Sequence, residues 1–128
     1  MGQLTISPDG TKVLNALTCQ DKFELFNFNL NTGILSNSIV INGDGGKAWG
    51  TAFSPDSKKI YVDGIFSSKI YQYDITNYNS SAISASQYTV ANINVSTYNF
   101  GYMELGPDSK LYIANPNTFW LSTVSSPN

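Results

Sequence analysis

Asn42-Gly43-Asp44-Gly45-Gly46-Lys47 has the residue types of a ligand loop. Glycines let a backbone approach a phosphate closely, and a lysine would meet its charge. A phosphate loop, however, needs Gly-Lys-Ser/Thr at the opening of a helix. Here Lys47 runs into Ala48 and Trp49 and on into a strand pattern, so the segment reads as a flexible turn between two structural units. Asp44 is also a candidate calcium ligand, although the alternate-position oxygens of a calcium loop are missing. Asp44 is kept as a weak binding candidate. Trp49 and Tyr98 lie beside or within the Gly-rich and Asn-rich connections, which makes them the aromatics best placed for a surface contact. Tyr71 and Tyr73 alternate with Gln72 and are expected to pack in a core.

No set of residues specifies a reaction, and no catalytic residue, metal site or cofactor is assigned. The chain lacks histidine, the commonest general base and metal ligand. All seven cations are lysines, so bidentate arginine clamps are unavailable. Cys19 stands alone, which excludes an intrachain disulfide; it reads as a small buried or half-buried residue rather than a nucleophile. Asp21, Asp63 and Asp74 fall near strand ends, but sequence cannot pair them for acid–base work. Charged residues make up 12% and the net charge is −2, so no basic footprint for nucleic acid exists. No apolar run approaches the roughly 18 residues of a membrane span.

The elements that would carry these residues come from a repeat. Ser7-Pro8-Asp9-Gly10, Ser54-Pro55-Asp56-Ser57 and Gly106-Pro107-Asp108-Ser109 each sit between two apolar runs. The intervals are 54 − 7 = 47 and 106 − 54 = 52 residues. Pro8, Pro55 and Pro107 preset φ at the second turn position. Asp9, Asp56 and Asp108 suit the third, and Gly10 finishes the turn. These residues read as turn formers and need no other role.

Each unit opens with a short strand: Gln3–Ile6, Gly50–Phe53 and Tyr102–Leu105. After the turn come Lys12–Ala16, Lys59–Asp63 and Lys110–Ala114, apolar on both faces as strands sandwiched between two sheets should be. Third strands are expected at Phe23–Phe28, Lys69–Asp74 and near Phe119–Val124. Polar outer strands are expected at Leu35–Ile41 and about Ser84–Val90. Asn79-Ser80-Ser81 and Asn94-Val95-Ser96 are glycan sequons of little weight in so Asn/Ser-rich a chain. Four antiparallel strands per ~40–50 residues, stacked in series, describe propeller blades. The chain reads as an all-β partial β-propeller of three four-stranded blades, the last incomplete: about 2–45, 46–97 and 98–128.

Propellers close with about 4–8 blades, so three leave two faces bare. The expected partners are the remaining blades of a longer chain or further copies of this one; an open stack with polar ends is the third option. No signal peptide precedes the first repeat, and the chain enters its first strand almost at once, which suits an excerpt.

Phe53-Ser54-Pro55-Asp56-Ser57-Lys58-Lys59-Ile60-Tyr61-Val62 resembles the surface-layer "YVTN" propeller repeat, although Asp63-Gly64 replaces its closing Thr-Asn. Gly2–Gly10, Phe23–Phe28, Ile70–Asp74, Leu105–Asp108, Leu121-Ser122 and Ser126–Asn128 together resemble the propeller segment of gliding-motility-associated surface proteins of the Bacteroidetes group. That resemblance covers nearly the whole chain. It implies a module of a secreted, type IX-exported protein at the cell surface, and it offers no catalytic residues to transfer. The expected function is a non-catalytic scaffold whose loops contact a surface protein or glycan. The alternatives are part of a lactonase-like hydrolase, which the turn after Phe26-Asn27-Phe28 would suit, and a structural spacer.

Overall fold

The computed structural model describes residues 2–92, 100–115 and 119–128. They form three antiparallel sheets of four, four and three strands. The first sheet holds β1 (Leu4–Ile6), β2 (Lys12–Leu17), β3 (Lys22–Phe28) and β4 (Leu35–Asn42). The second holds β5 (Ala48–Phe53), β6 (Lys59–Gly64), β7 (Lys69–Asp74) and β8 (Tyr88–Asn92). The third holds β9 (Met103–Leu105), β10 (Leu111–Ile113) and β11 (Ser122–Val124). Strands adjacent in sequence pair with each other within every sheet, so each is a simple meander. This is the expected all-β, partial-propeller architecture. Among the described residues no helix is long and apolar enough to cross a membrane.

The Pro-Asp corners join the first and second strands of each sheet, and their hydroxyls explain the recurrence. Ser7 Oγ donates to Asp9 Oδ1 at 2.6 Å and accepts from Lys12 N at 2.9 Å. Ser54 repeats both bonds with Asp56 and Lys59, at 2.6 and 2.9 Å. Gly106 has no hydroxyl to offer. There Asp108 Oδ2 instead accepts from the Tyr112 hydroxyl at 2.9 Å and pairs with Lys110 Nζ at 3.0 Å. The fourth turn residue is left-handed in all three corners, with φ of 72° at Gly10 and 61° at Ser57 and Ser109. Glycine adopts that conformation freely, whereas serine is strained in it.

The core sits between the sheets. Ile60 and Val62 of β6 point to the first sheet, where they join Leu14, Phe23, Leu25 and Ile41. Tyr61 points the other way, into a cluster with Phe100, Met103, Leu111 and Ile113. The strand is therefore buried on both faces, as its sequence suggested. Polar ties reinforce the stack. Gln3 accepts at Oε1 from Thr51 N at 3.0 Å and from Met103 N at 3.1 Å, and donates from Nε2 to the Met103 carbonyl at 2.6 Å. One side chain thus links the inner edges of all three sheets. Farther out, the Tyr78 hydroxyl lies 2.8 Å from the Asn37 carbonyl and 3.0 Å from the Leu25 carbonyl, where a bulge interrupts β3 and β4. At the chain end the Tyr61 hydroxyl donates to the Pro127 carbonyl at 2.7 Å.

Three expectations need correction. The outer strand of the second sheet starts at Tyr88, not near Ser84, because Ser80–Ala85 forms a short helix, α1. Asn79 caps it, its side chain accepting from Ser81 N and Ala82 N, while Ile83 is fully buried. The first residues of the expected edge strand, Ser84 and Ala85, thus belong to the end of a capped helix whose buried residue is Ile83. In the third sheet β11 covers only Ser122–Val124; Phe119 is fully exposed and Trp120 largely so. Cys19 is exposed within a 3₁₀ turn at Thr18–Gln20, not buried. The turn leaves the sheet at the end of β2 and so carries the thiol to the surface.

Two outcomes are expected. Ser109→Gly should stabilise the chain by about 1 kcal/mol in chemical denaturation, because it relieves left-handed strain without removing a corner bond. Gln3→Ala should cost about 2 kcal/mol in the same measurement, because the Thr51 and Met103 amides lose their acceptor.

Candidate functional site

Loops at the ends of the sheets opposite the Pro-Asp corners enclose a cavity of about 240 Å³. Asp21, Asp44 and Asp63 are among the residues that line it. Asp21 and Asp44 reach it from separate loops, whereas Asp63 borders it through β6, its side chain lying on the Tyr61 face, level with Ile70 and toward the third sheet. Asp21 follows the 3₁₀ turn in left-handed conformation, with φ 51°. Its Oδ2 accepts from Gly45 N at 2.6 Å and its Oδ1 from Ala48 N at 2.8 Å. Asp44 Oδ1 accepts from Gly46 N at 3.0 Å, while its Oδ2 accepts from Ser67 Oγ at 2.8 Å and the Tyr71 hydroxyl at 3.2 Å. The Gly-rich segment that resembled a phosphate loop is therefore a turn pinned by two aspartates. Its amides are directed at protein carboxylates rather than at an anion.

Asp63 differs from both. It lies near the end of β6 and is 2% exposed. Its Oδ1 accepts from Gly50 N at 2.8 Å, where the pairing of β5 with β6 slips its register. A methyl at Gly50 would stand 2.8 Å from that oxygen, so only glycine allows the approach. Asp63 Oδ2 is buried and finds no hydrogen-bond partner among the described residues. Burial, reinforced by the charge of Asp44 and only partly offset by the Gly50 amide, pushes the Asp63 carboxyl up to about 7. Tyr71 and Tyr73 form the aromatic wall; burial pushes the Tyr73 hydroxyl up to about 12.

Sequence reasoning did not single Asp63 out, yet the repeat carries a signal. The registers Ile6↔Val13, Phe53↔Ile60 and Leu105↔Leu111 align the three second strands. Asp63 then falls level with Ala16 and Ala114. Two blades build this position with a methyl group, so the fold does not require a carboxylate there.

The other candidates are dispersed. Trp49 is half-buried and stacks on Tyr102, with ring centroids 5.3 Å apart and planes 11° apart. Trp49 stands on β5 and Tyr102 just ahead of β9, both at the loop-bearing end. Tyr98 and the Asn94 sequon lie outside the described residues. Pro8, Asp9, Gly10, Pro55, Asp56, Pro107 and Asp108 occupy the corners at the opposite end, away from the cavity. Asp74 is an exposed turn residue whose Oδ1 accepts from Thr76 N at 2.8 Å. Among the described residues no three His, Cys, Asp or Glu side chains group closely enough to hold a metal ion.

Solved structures share this arrangement. A candidate 6-phosphogluconolactonase from Bacteroides fragilis superposes with a TM-score of 0.69 at 20% identity, over 95% of this chain and 36% of its own. A second, from Bacteroides uniformis, gives 0.62 at 21% identity, over 98% and 40%. The β-propeller domain of Cps50 (Swd1) from Myceliophteria thermophila gives 0.63 at 13% identity, over 95% and 39%. At such identities these neighbours show the fold, a β-propeller architecture, and nothing finer. The chain spans only about a third to two-fifths of their length. No protein-family model and no curated protein sequence matches it.

The Asp63 environment makes stability depend on pH with a definite sign. The folded chain holds this proton up to about pH 7, against an ordinary value of 3.8 in the unfolded chain. Unfolding free energy should therefore fall as pH rises from about 4 to 7 and level off above, by on the order of 4 kcal/mol if the full shift is expressed. Denaturation midpoints of the unaltered chain and of Asp63→Asn across that range provide the check; the variant should lack this component. Asp9, Asp56 and Asp74 are shifted downward. In Asp9 burial is outweighed by bonds from Ser7 and Thr11; Ser54 dominates for Asp56 and Thr76 for Asp74. Their contributions are lost only below the ordinary carboxylate range, so the two windows separate.

Proposed function

We propose that this chain is the part of a β-propeller that presents a ligand-contacting surface at its loop-bearing end, and that the contact is with a glycan. The observation that supports this is the Trp49–Tyr102 stack. Two aromatic rings from adjacent sheets lie nearly coplanar in orientation at the inner rim, with Tyr102 half exposed. Stacked rings make a rigid apolar slab of the kind on which a sugar ring can rest, and Trp and Tyr bring large area at low entropic cost. Sparse charge suits recognition through amides and aromatic faces. The resemblance to gliding-motility-associated surface proteins supports a contact outside the cell.

The bare flank of the first sheet supports the partner reading. Leu4 and Ile6 of β1 are 59% and 55% exposed, while the aligned Phe53 is buried against the neighbouring sheet. A further blade seated there would bury them in the same way, whether it belongs to more chain or to another copy. The lactonase-like alternative is favoured by one feature: Asp63, a buried carboxyl pushed up to about 7, has the protonation behaviour of a general acid or base.

Retention on a glycan array should be measurable for the chain and should fall at least about tenfold for Trp49→Ala. Retention unchanged by that substitution, or binding confined to a surface protein, would defeat the glycan reading. Light scattering of the chain should give the mass of a multimer or, for one copy, increased binding of an apolar dye that Ile6→Lys reduces.

A further inference from the structure

The two junctions between neighbouring sheets differ by one backbone bond. Between the first and second sheets the Gln3 amide donates to the Trp49 carbonyl at 3.0 Å. Gln3 and Gly50 each stand four residues ahead of their Pro-Asp corner, and Trp49 and Gly101 each stand five ahead. The matching bond between the second and third sheets would therefore run from Gly50 N to the Gly101 carbonyl. Instead the Gly50 amide turns to Asp63 Oδ1 at 2.8 Å. Gly101 is buried, and nothing among the described residues donates to its carbonyl.

Two oxygens in this seam thus lack a donor among the described residues: the Gly101 carbonyl and Asp63 Oδ2. They crowd the same place. A methyl on Gly50 would stand 2.7 Å from the first and 2.9 Å from the second. Buried acceptors set against each other are costly. One proton satisfies both, because a neutral carboxyl donates from Oδ2 while Oδ1 still accepts from Gly50. The surroundings favour the neutral form. The Tyr61–Ile70 face that carries Asp63 packs on Phe100, Met103, Leu111 and Ile113, none of them ionisable. Tyr61 has its hydroxyl committed to the Pro127 carbonyl, and Tyr102 and Glu104 are exposed. The charge that bears on Asp63 is that of Asp44, and neither Lys47 ahead of β5 nor Lys69 beside Ile70 offsets it.

We propose that Asp63, as a neutral acid, ties the second sheet to the third by donating its Oδ2 proton to the Gly101 carbonyl, and that loss of this proton to water opens the seam behind the Trp49–Tyr102 pair. Trp49 is joined to Gly50 and Tyr102 to Gly101, so the seam sets the spacing of the two rings, 5.3 Å between centroids. Ionised, Asp63 keeps the Gly50 amide but places a full negative charge against the carbonyl dipole. The junction then widens until water reaches the carboxylate. Asp63 is a positioning residue: it touches no ligand and acts through the two rings. The aligned Ala16 and Ala114 carry no proton, so the device belongs to this junction alone among the aligned positions.

The test is NMR of the intact chain between pH 5 and 8.5. The Asp63 side-chain carboxyl carbon reports ionisation, the Gly101 carbonyl carbon reports the donated bond, and the Trp49 and Tyr102 ring protons report stacking. All should move together with one midpoint, at about 7, while the Leu14 and Leu25 amides of the first sheet hold their positions. Asp63→Asn carries a permanent donor in the same shape and should keep the stacked ring shifts across the whole range. Ring and Gly101 shifts that ignore the Asp63 titration, or that still move in Asp63→Asn, would overturn the proposal. A carboxyl already ionised at pH 5 would do the same. If Asp63→Asn fails to fold, the titration of the unaltered chain decides alone. The measurement needs no sugar, so its outcome is independent of the glycan reading.

Discussion

Two-sided burial of the second strand is the constraint on which the rest of this structure depends. In an isolated sheet β6 would expose either Tyr61 or the pair Ile60 and Val62. Packed between sheets it exposes none of them, each being at most 1% accessible. Burying one such side chain fully is worth about 1.5–3 kcal/mol, so three on one six-residue strand can order the stack. The same demand explains why the first sheet is left with an apolar flank at Leu4 and Ile6. A repeat that relies on neighbours for burial carries that reliance to its end units.

Close approach at the inner edges follows from that stacking. The sheets converge there, and the polar groups of short strands must be satisfied across sheets as well as within them. Gln3 meets this need with one amide that reaches Thr51 and Met103. Thr5 and Thr51 meet hydroxyl to hydroxyl at 2.9 Å. Beside Gln3, whose backbone amide donates to the Trp49 carbonyl at 3.0 Å, the inner rim presents Trp49 against Tyr102. The scaffold is thus tied internally by neutral groups, which leaves the carboxylates free to gather in the loops.

Asp63 departs from the consistency that otherwise runs through the repeat. Local pattern, turn chemistry and packing agree elsewhere, and positions that break such agreement are where function tends to lie. A methyl group satisfies this position in two blades, yet the middle blade carries a carboxyl with one oxygen unpaired. The register slip that frees the Gly50 amide and the glycine that admits the carboxylate belong to the same local device. It lies on the face of β6 turned to the third sheet, away from the cavity that Asp21 and Asp44 rim.

By itself the sequence determined the repeat, its corners, the order of the strands and which of them are buried on both sides. These properties are local: a Pro-Asp turn, a period of two and a run of apolar residues act over a few neighbours. It also misread Ser84 and Ala85 as the start of a strand, because an Asn cap and one buried isoleucine outweigh a weak strand pattern, and it misplaced Cys19 for want of knowing where β2 leaves the sheet. Only the tertiary structure decided that Trp49 meets Tyr102, that Asp21 and Asp44 from separate loops share a cavity, and that Asp63 is stripped of water with one oxygen unmatched among the described residues. Those facts depend on how three sheets pack and on the solvent they exclude, and desolvation is a property of that packing rather than of any short stretch of residues.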